Sequence, residues 1–284
     1  MLGAIRELMR PPAGMEFDFS QPPGEPALTP AHGVSWQVFA NPVALFVGGV
    51  VAVLLELAEP SVRSGVWDHS SFRRDPGTRL RRTGFAAMMT VYGPRSAAEK
   101  MIGRVVRMHA RVEGSTPAGV PYRANDPRLL DWVQATATFG FTEACHRYAR
   151  TLSAAEMDAA FVEAEASARL YGATGAPRSR AGWEAMLAAA APGLEGSEIL
   201  ADFMRIMREA PILPAPLRPL QRLLVRAAVE ITPEPVRSMP QLQGRGLRVG
   251  EAALVRMLAR GAALAPLGDT PQVQAARRLA RAAR

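Results

Sequence analysis

A single cysteine, Cys145, stands in 284 residues. One thiol can build neither a disulfide framework nor a thiolate metal cluster, and such a count is expected of a chain in a reducing cytoplasm. Lysine is equally scarce. Of the 34 basic residues only Lys100 is a lysine, and together with abundant Ala, Gly and Pro this reads as the codon bias of a GC-rich bacterial genome. Long apolar runs are missing as well. The longest, Val43 to Leu55, is closed by Glu56; it is too short to span a bilayer and predicts a buried core helix. No apolar stretch follows the arginines of Met1 to Phe19, which argues against a secretory signal. Also absent are a phosphate loop, a dinucleotide-binding glycine fingerprint, a nucleophile elbow and a zinc-protease helix. The four histidines, His32, His69, His109 and His146, include no pair four residues apart, so no two-histidine metal helix is encoded.

What is present describes an ordinary globular chain, 48% hydrophobic and 21% charged. The net charge of +8 admits either an anionic partner or a solvated arginine surface. No basic run is interleaved with aromatics, so nucleic acid is not an expected partner. The basic end, with Arg277, Arg278, Arg281 and Arg284, admits at most a weak contact with an anionic membrane surface.

Strand-like alternation is scarce and helical signals recur, so the expected fold class is all-α. Residues 1–35, rich in Pro and Gly, read as an extended arm, 36–238 as one helical domain, and 239–284 as a Gly- and Arg-rich extension ending in a helical tail. Ser96-Ala97-Ala98-Glu99 and Ser153-Ala154-Ala155-Glu156 both have capping-box form, and Asp126-Pro127 is an N-cap followed by proline at the first helical position. The helix after Ser96 is expected to run to about Glu113 and stop at Gly114. It sets Lys100, Arg104, Arg107 and Arg111 on one face and Met101, Ile102, Val105, Val106, Met108 and Val112 on the other, with His109 on the apolar side. Further helices are expected near 60–69, 180–191, 198–209 and 217–231.

Polar residues crowd the stretch from Glu59 to Thr83, between two apolar helices. Arg79 and Thr83 are four apart and share a helix face, with Arg82 three from Arg79. Such a cluster is either an exposed turn or the polar wall of a site for an anionic cofactor, whose carboxylates favour arginine forks. A lone histidine on an apolar face, as His109 is, serves either as a core residue or as the single protein ligand that haem iron needs.

The run Glu59-Pro60 through His69-Ser70, Asp75-Pro76, Arg79 to Thr83, Val91-Tyr92-Gly93 and Met108 to Gly114, continued by Tyr122-Arg123-Ala124, Asp126 to Leu130 and Trp132-Val133, resembles the MpaB and rubber oxygenase (latex-clearing protein) family. The resemblance covers roughly residues 34–235. It implies a helical, globin-like core around one haem b, and an oxygenase that uses dioxygen on an apolar, isoprenoid or lipid-like small molecule. By the same resemblance His109 is the iron ligand, Arg79 and Thr83 are the catalytic polar pair, and Arg82 and His69 border the cofactor. Two positions depart from the rubber-cleaving pattern. Arg82 stands where those members carry a lysine that ligates iron, and guanidinium has no lone pair to give. Glu59 stands where many relatives have histidine. The alternatives are a helical haem- or lipid-binding protein without turnover, or a member that has lost its cofactor.

Overall fold

The apolar run forms the central helix. In the computed structural model, which describes residues 14–70, 72, 74–264 and 268–281, α1 (Val34–Val38) leads into α2 (Pro42–Ala58). Asn41 caps α2 by accepting from the amides of Val43 and Ala44, and Pro42 occupies its first turn. There follow α3 (Pro60–His69), α4 (Pro76–Tyr92), α5 (Arg95–His109), the strands β1 (Glu113–Ser115) and β2 (Pro121–Arg123), and α6 (Pro127–Ala144), which ends in a π turn over Cys145–Ala149. The remainder is α7 (Ala154–Tyr171), α8 (Arg180–Ala190), α9 (Glu198–Glu209), α10 (Arg218–Ile231), α11 (Glu234–Arg237), α12 (Glu251–Leu264) and α13 (Pro271–Ala280). The fold is all-α, and its sheet is one small antiparallel hairpin. Among the described residues no single helix is long and apolar enough to cross a membrane.

The helix that α2 packs against most extensively is α6. A Cβ on Gly48 would meet the Phe141 Cα at 2.7 Å, and one on Gly140 would meet the Gly48 carbonyl oxygen at 2.5 Å, so two glycines permit a close crossing. The Trp132 indole adds a hydrogen bond to the Leu55 carbonyl at 3.2 Å. One core cluster surrounds α2 and takes in α3, α6, α9, α10 and α12. A second gathers Phe19 and Leu28 of the arm, Trp36, the end of α4, Ile102 and Ala275 of α13.

The capping signals divide. Ser153 and Glu156 form the reciprocal box, and α7 ends at Gly172 with φ +96°, as its sequence predicts. Asp126 caps α6. Ser96 does not cap α5, because Pro94 holds that position and Ser96 lies in the first turn. Its amide and hydroxyl instead donate to the Glu25 carboxylate of the arm, at 2.6 and 3.1 Å, a tertiary partner that displaces the local one. The end of α5 also differs from expectation. The helix stops at His109, and Gly114 lies in β1 opposite Tyr122, where a Cβ would sit 2.8 Å from the tyrosine hydroxyl. Gly114 is thus required by a hairpin contact and not as a helix stop. Met108, assigned to the apolar face, is 53% exposed. Within the Gly- and Arg-rich extension α12 precedes the helical tail, which is α13. The first 13 residues of the arm, Ser71 and Arg73 of the polar cluster, and Arg284 of the basic end lie outside the described residues.

Candidate functional site

Glu56 is the only charged residue of α2, in the last turn of a helix otherwise built of apolar and glycine residues. It faces a cavity of about 890 Å³, a volume in the range of small-molecule sites. The walls are largely apolar, with Val38, Phe39, Phe46, Val53, Phe85 and Phe141 among them. Because the carboxyl sits among these walls, burial pushes its pKa up to about 7, against the opposing pull of the Arg79 charge.

Arg79 and Thr83 come to the same cavity from α4. Asp75 caps this helix by accepting from the Thr78 amide, and Pro76 starts it, so Arg79 falls one turn inside. The Thr83 hydroxyl donates to the Arg79 carbonyl at 3.0 Å, tying the pair along one face. Burial lowers the Arg79 pKa, Glu56 opposing, yet its guanidinium has no hydrogen bond or ion pair among the described residues. A half-buried, unpaired cation on an apolar wall is costly to leave without an anion.

His109 ends α5. Burial, and then the charge of Arg79, lower its pKa and so favour the neutral ring. Its Nδ1 is buried without a hydrogen-bond partner. The Asn125 amide donates to the Val106 carbonyl one turn earlier, at 3.1 Å, which holds the helix end against the hairpin. His109 feels Arg79 but is not itself among the residues that line the cavity.

The structure therefore brings Arg79 and Thr83 together on the wall, with His109 off the wall but within reach of the Arg79 charge. It does not bring the other two candidates there. Arg82 is exposed, and the wall takes Arg81, whose guanidinium donates to the Thr78 hydroxyl at 3.0 Å. His69 is exposed and packs edge-on to Tyr122, with ring centroids 6.5 Å apart.

Other members of the dense polar stretch are structural. Glu59 caps α3 through the Val62 amide at 2.7 Å and pairs with Arg128 at 3.4 Å. Arg63, only 4% exposed, pairs with Glu195 at 2.5 Å and pins the segment after α8. Of the two glutamates near the expected region, only Glu56 faces the cavity. Its signal in the sequence is plain in retrospect: one charge in a helix that otherwise has none.

Residues 36–264 match the family model of the ER-bound oxygenase mpaB/B'/rubber oxygenase catalytic domain. This chain belongs to that family. No curated protein and no solved structure matches it. As an mpaB/rubber oxygenase domain it carries an oxygenase fold, and the cavity bounded by α2 and α4 is the place within it where an unpaired cation, a carboxyl with raised pKa and apolar walls converge. Among the described residues no group of three or more His, Cys, Asp or Glu side chains could hold a metal ion by itself.

Proposed function

We propose that this chain is a haem b-dependent oxygenase that uses dioxygen on an apolar, isoprenoid- or lipid-like small molecule. The observation that carries the reading is the meeting of Glu56, Arg79 and Thr83 on the wall of a large apolar cavity in a chain of an oxygenase family.

The residues present fit a haem on three counts. His109 offers a ring nitrogen, Nδ1, that is buried and committed to no hydrogen bond, and imidazole is a ligand type that haem iron takes. Arg79 offers an unpaired guanidinium, the group that forks onto a carboxylate such as a haem propionate. The apolar walls suit a porphyrin face and a hydrocarbon substrate together. His109 would hold the iron and Arg79 a carboxylate; bound haem supplies the activation of dioxygen.

The rest is the work of this chain's own side chains. The aromatic and aliphatic walls hold the substrate and exclude water. The Glu56 carboxyl, with a pKa near 7, can hold or take up a proton at its oxygens under neutral conditions. Arg79 limits how far that pKa rises and so keeps both protonation states within reach.

Absorption spectroscopy of protein produced with haem tests the ligand assignment. The parent is expected to show a Soret band that is lost or shifted in His109→Ala. A parent without the band, or a variant with an unchanged one, would sink the assignment.

The absence of His109 from the cavity wall favours a second reading, in which the cavity carries a fatty or isoprenoid carboxylate on Arg79 without turnover. Oxygen consumption with candidate polyprenyl or fatty substrates separates the two. Uptake that depends on His109 supports the oxygenase, and binding without uptake supports the carrier.

A further inference from the structure

Part of the cavity wall comes from outside the family domain. Phe17 and Phe19 of the arm, and Asp269, Pro271 and Gln274 at the start of α13, all line it, while the family match covers only 36–264. These two segments are fastened to one another. The Phe19 amide donates to the Gln274 side chain at 2.8 Å, and the Gly24 amide to the Arg278 carbonyl at 2.8 Å.

Arg278 is the centre of the fastening. Its side chain is completely buried, and its three nitrogens donate to the carbonyls of Phe19, Glu25 and Tyr92 at 2.6, 2.7 and 2.8 Å. Phe19 and Glu25 belong to the arm, and Tyr92 ends α4, so one guanidinium on α13 ties the arm to the domain. No carboxylate among the described residues lies within ion-pair distance of it. The basic end is therefore not a uniformly free cationic surface: Arg278 is a buried clamp, and Arg277 is paired with Asp269 at 2.6 Å.

The arm carries the aromatic end of the cavity. Phe17 and Phe19 meet edge to face at 5.1 Å, and Phe19 meets Phe85 of α4 at 6.2 Å. Phe85 lies six residues after Arg79 on the same helix, about 9 Å along the axis. A ligand with its anionic group on Arg79 and its chain along α4 runs toward this aromatic group.

We propose that residues 14–33 and α13, clamped by Arg278, form an added wall that sets the length of the apolar chain the cavity accepts, with Phe17 and Phe19 as its end stop. This rests on the second reading above, in which Arg79 holds the carboxylate of a fatty or isoprenoid ligand. It makes the ligand class one of discrete molecules of limited length and not of polymers.

The test is calorimetric titration of the full, haem-free chain with straight-chain saturated carboxylates of increasing length, so that neither iron nor dioxygen enters. In the parent each added methylene is expected to tighten binding about three- to fourfold, the worth of one buried CH₂, up to a limiting length beyond which affinity falls. Phe17→Ala, at a half-buried position, is expected to move that limit to longer chains with the shorter ones little changed. Arg278→Met is expected to abolish the limit and to open the arm to proteolysis. Binding in the parent with the same limit in both variants, in folded protein, overturns the added wall alone. No binding of any carboxylate to the parent overturns the apolar-ligand reading and the wall with it.

Discussion

Helices α2 and α4 are built to the same plan and end in different states. Each has 17 residues, an Asn or Asp cap, and proline in its first turn. In α2 twelve residues are buried, spread along its whole length; in α4 only four are, Met88, Met89, Val91 and Tyr92, all in the last two turns. The reason lies in what each faces. α2 is pressed on α6 through Gly48 and Gly140 and surrounded by the larger core, whereas the first turns of α4 front the cavity and leave Arg79 and Thr83 without close packing. A wall that must present polar groups to a ligand forgoes the burial that would stabilise it. The stability of the fold and the chemistry of the site are thus assigned to different walls of one cavity, with Glu56 as the point where the stable helix reaches into it.

Substitutions at glycine sharpen this contrast most. Gly140→Val should cost at least about 3 kcal/mol, because its first carbon would already lie 2.5 Å from a backbone oxygen that cannot move aside. Gly84→Ala, on the cavity side of α4 with nothing within 4 Å of an added Cβ, should instead stabilise by about 0.5–1 kcal/mol through helix propensity. Chemical denaturation measures both. Equal penalties at the two sites would break the distinction.

Glu56 allows a pH test of the same contrast. Its folded pKa, about 7, is above the ordinary 4.5, so its favourable contribution is complete below pH 4.5 and is lost as pH rises to 7. Glu56→Gln removes that loss. Above pH 7 the variant should therefore be the more stable protein by about 3 kcal/mol, and the excess should vanish below pH 4.5. A pH-independent difference would show that the carboxyl is freely solvated.

The smallest effects concern the two serines whose sequences look alike. Ser153→Ala should cost about 1 kcal/mol, since it breaks a reciprocal cap, and Ser96→Ala only a few tenths, since its hydroxyl makes an exposed bond to the arm. Thermal melts of the pair check this, and equal losses would restore Ser96 to a capping role.

Local order was legible wherever the chain supplies its own partners. The apolar run announced α2, the reciprocal pair Ser153 and Glu156 announced α7, and Asp126-Pro127 announced α6, because the bonds that start these helices close within a few residues. The pairing of Arg79 with Thr83 was legible for the same reason: four residues on a helix is one turn. Where the partner is distant, the local pattern misled. Ser96 found Glu25, Gly114 found Tyr122, and the dense polar stretch gave Glu59 to a helix cap and Arg63 to Glu195.

By itself, then, the sequence determined the all-α class, most helix starts, the family, and the shared face of Arg79 and Thr83, all matters of short-range periodicity and spaced motifs. Only the tertiary structure decided that Glu56 and not Glu59 faces the cavity, that Arg81 and not Arg82 is in its wall, and that Arg278 clamps α13 to Phe19 and Glu25 of the arm and to Tyr92 of α4. Those outcomes depend on which face of each helix meets an element far away in the chain. Burial against that element, and not spacing along the sequence, sets whether a charge becomes a solvent contact, a clamp or a chemical group.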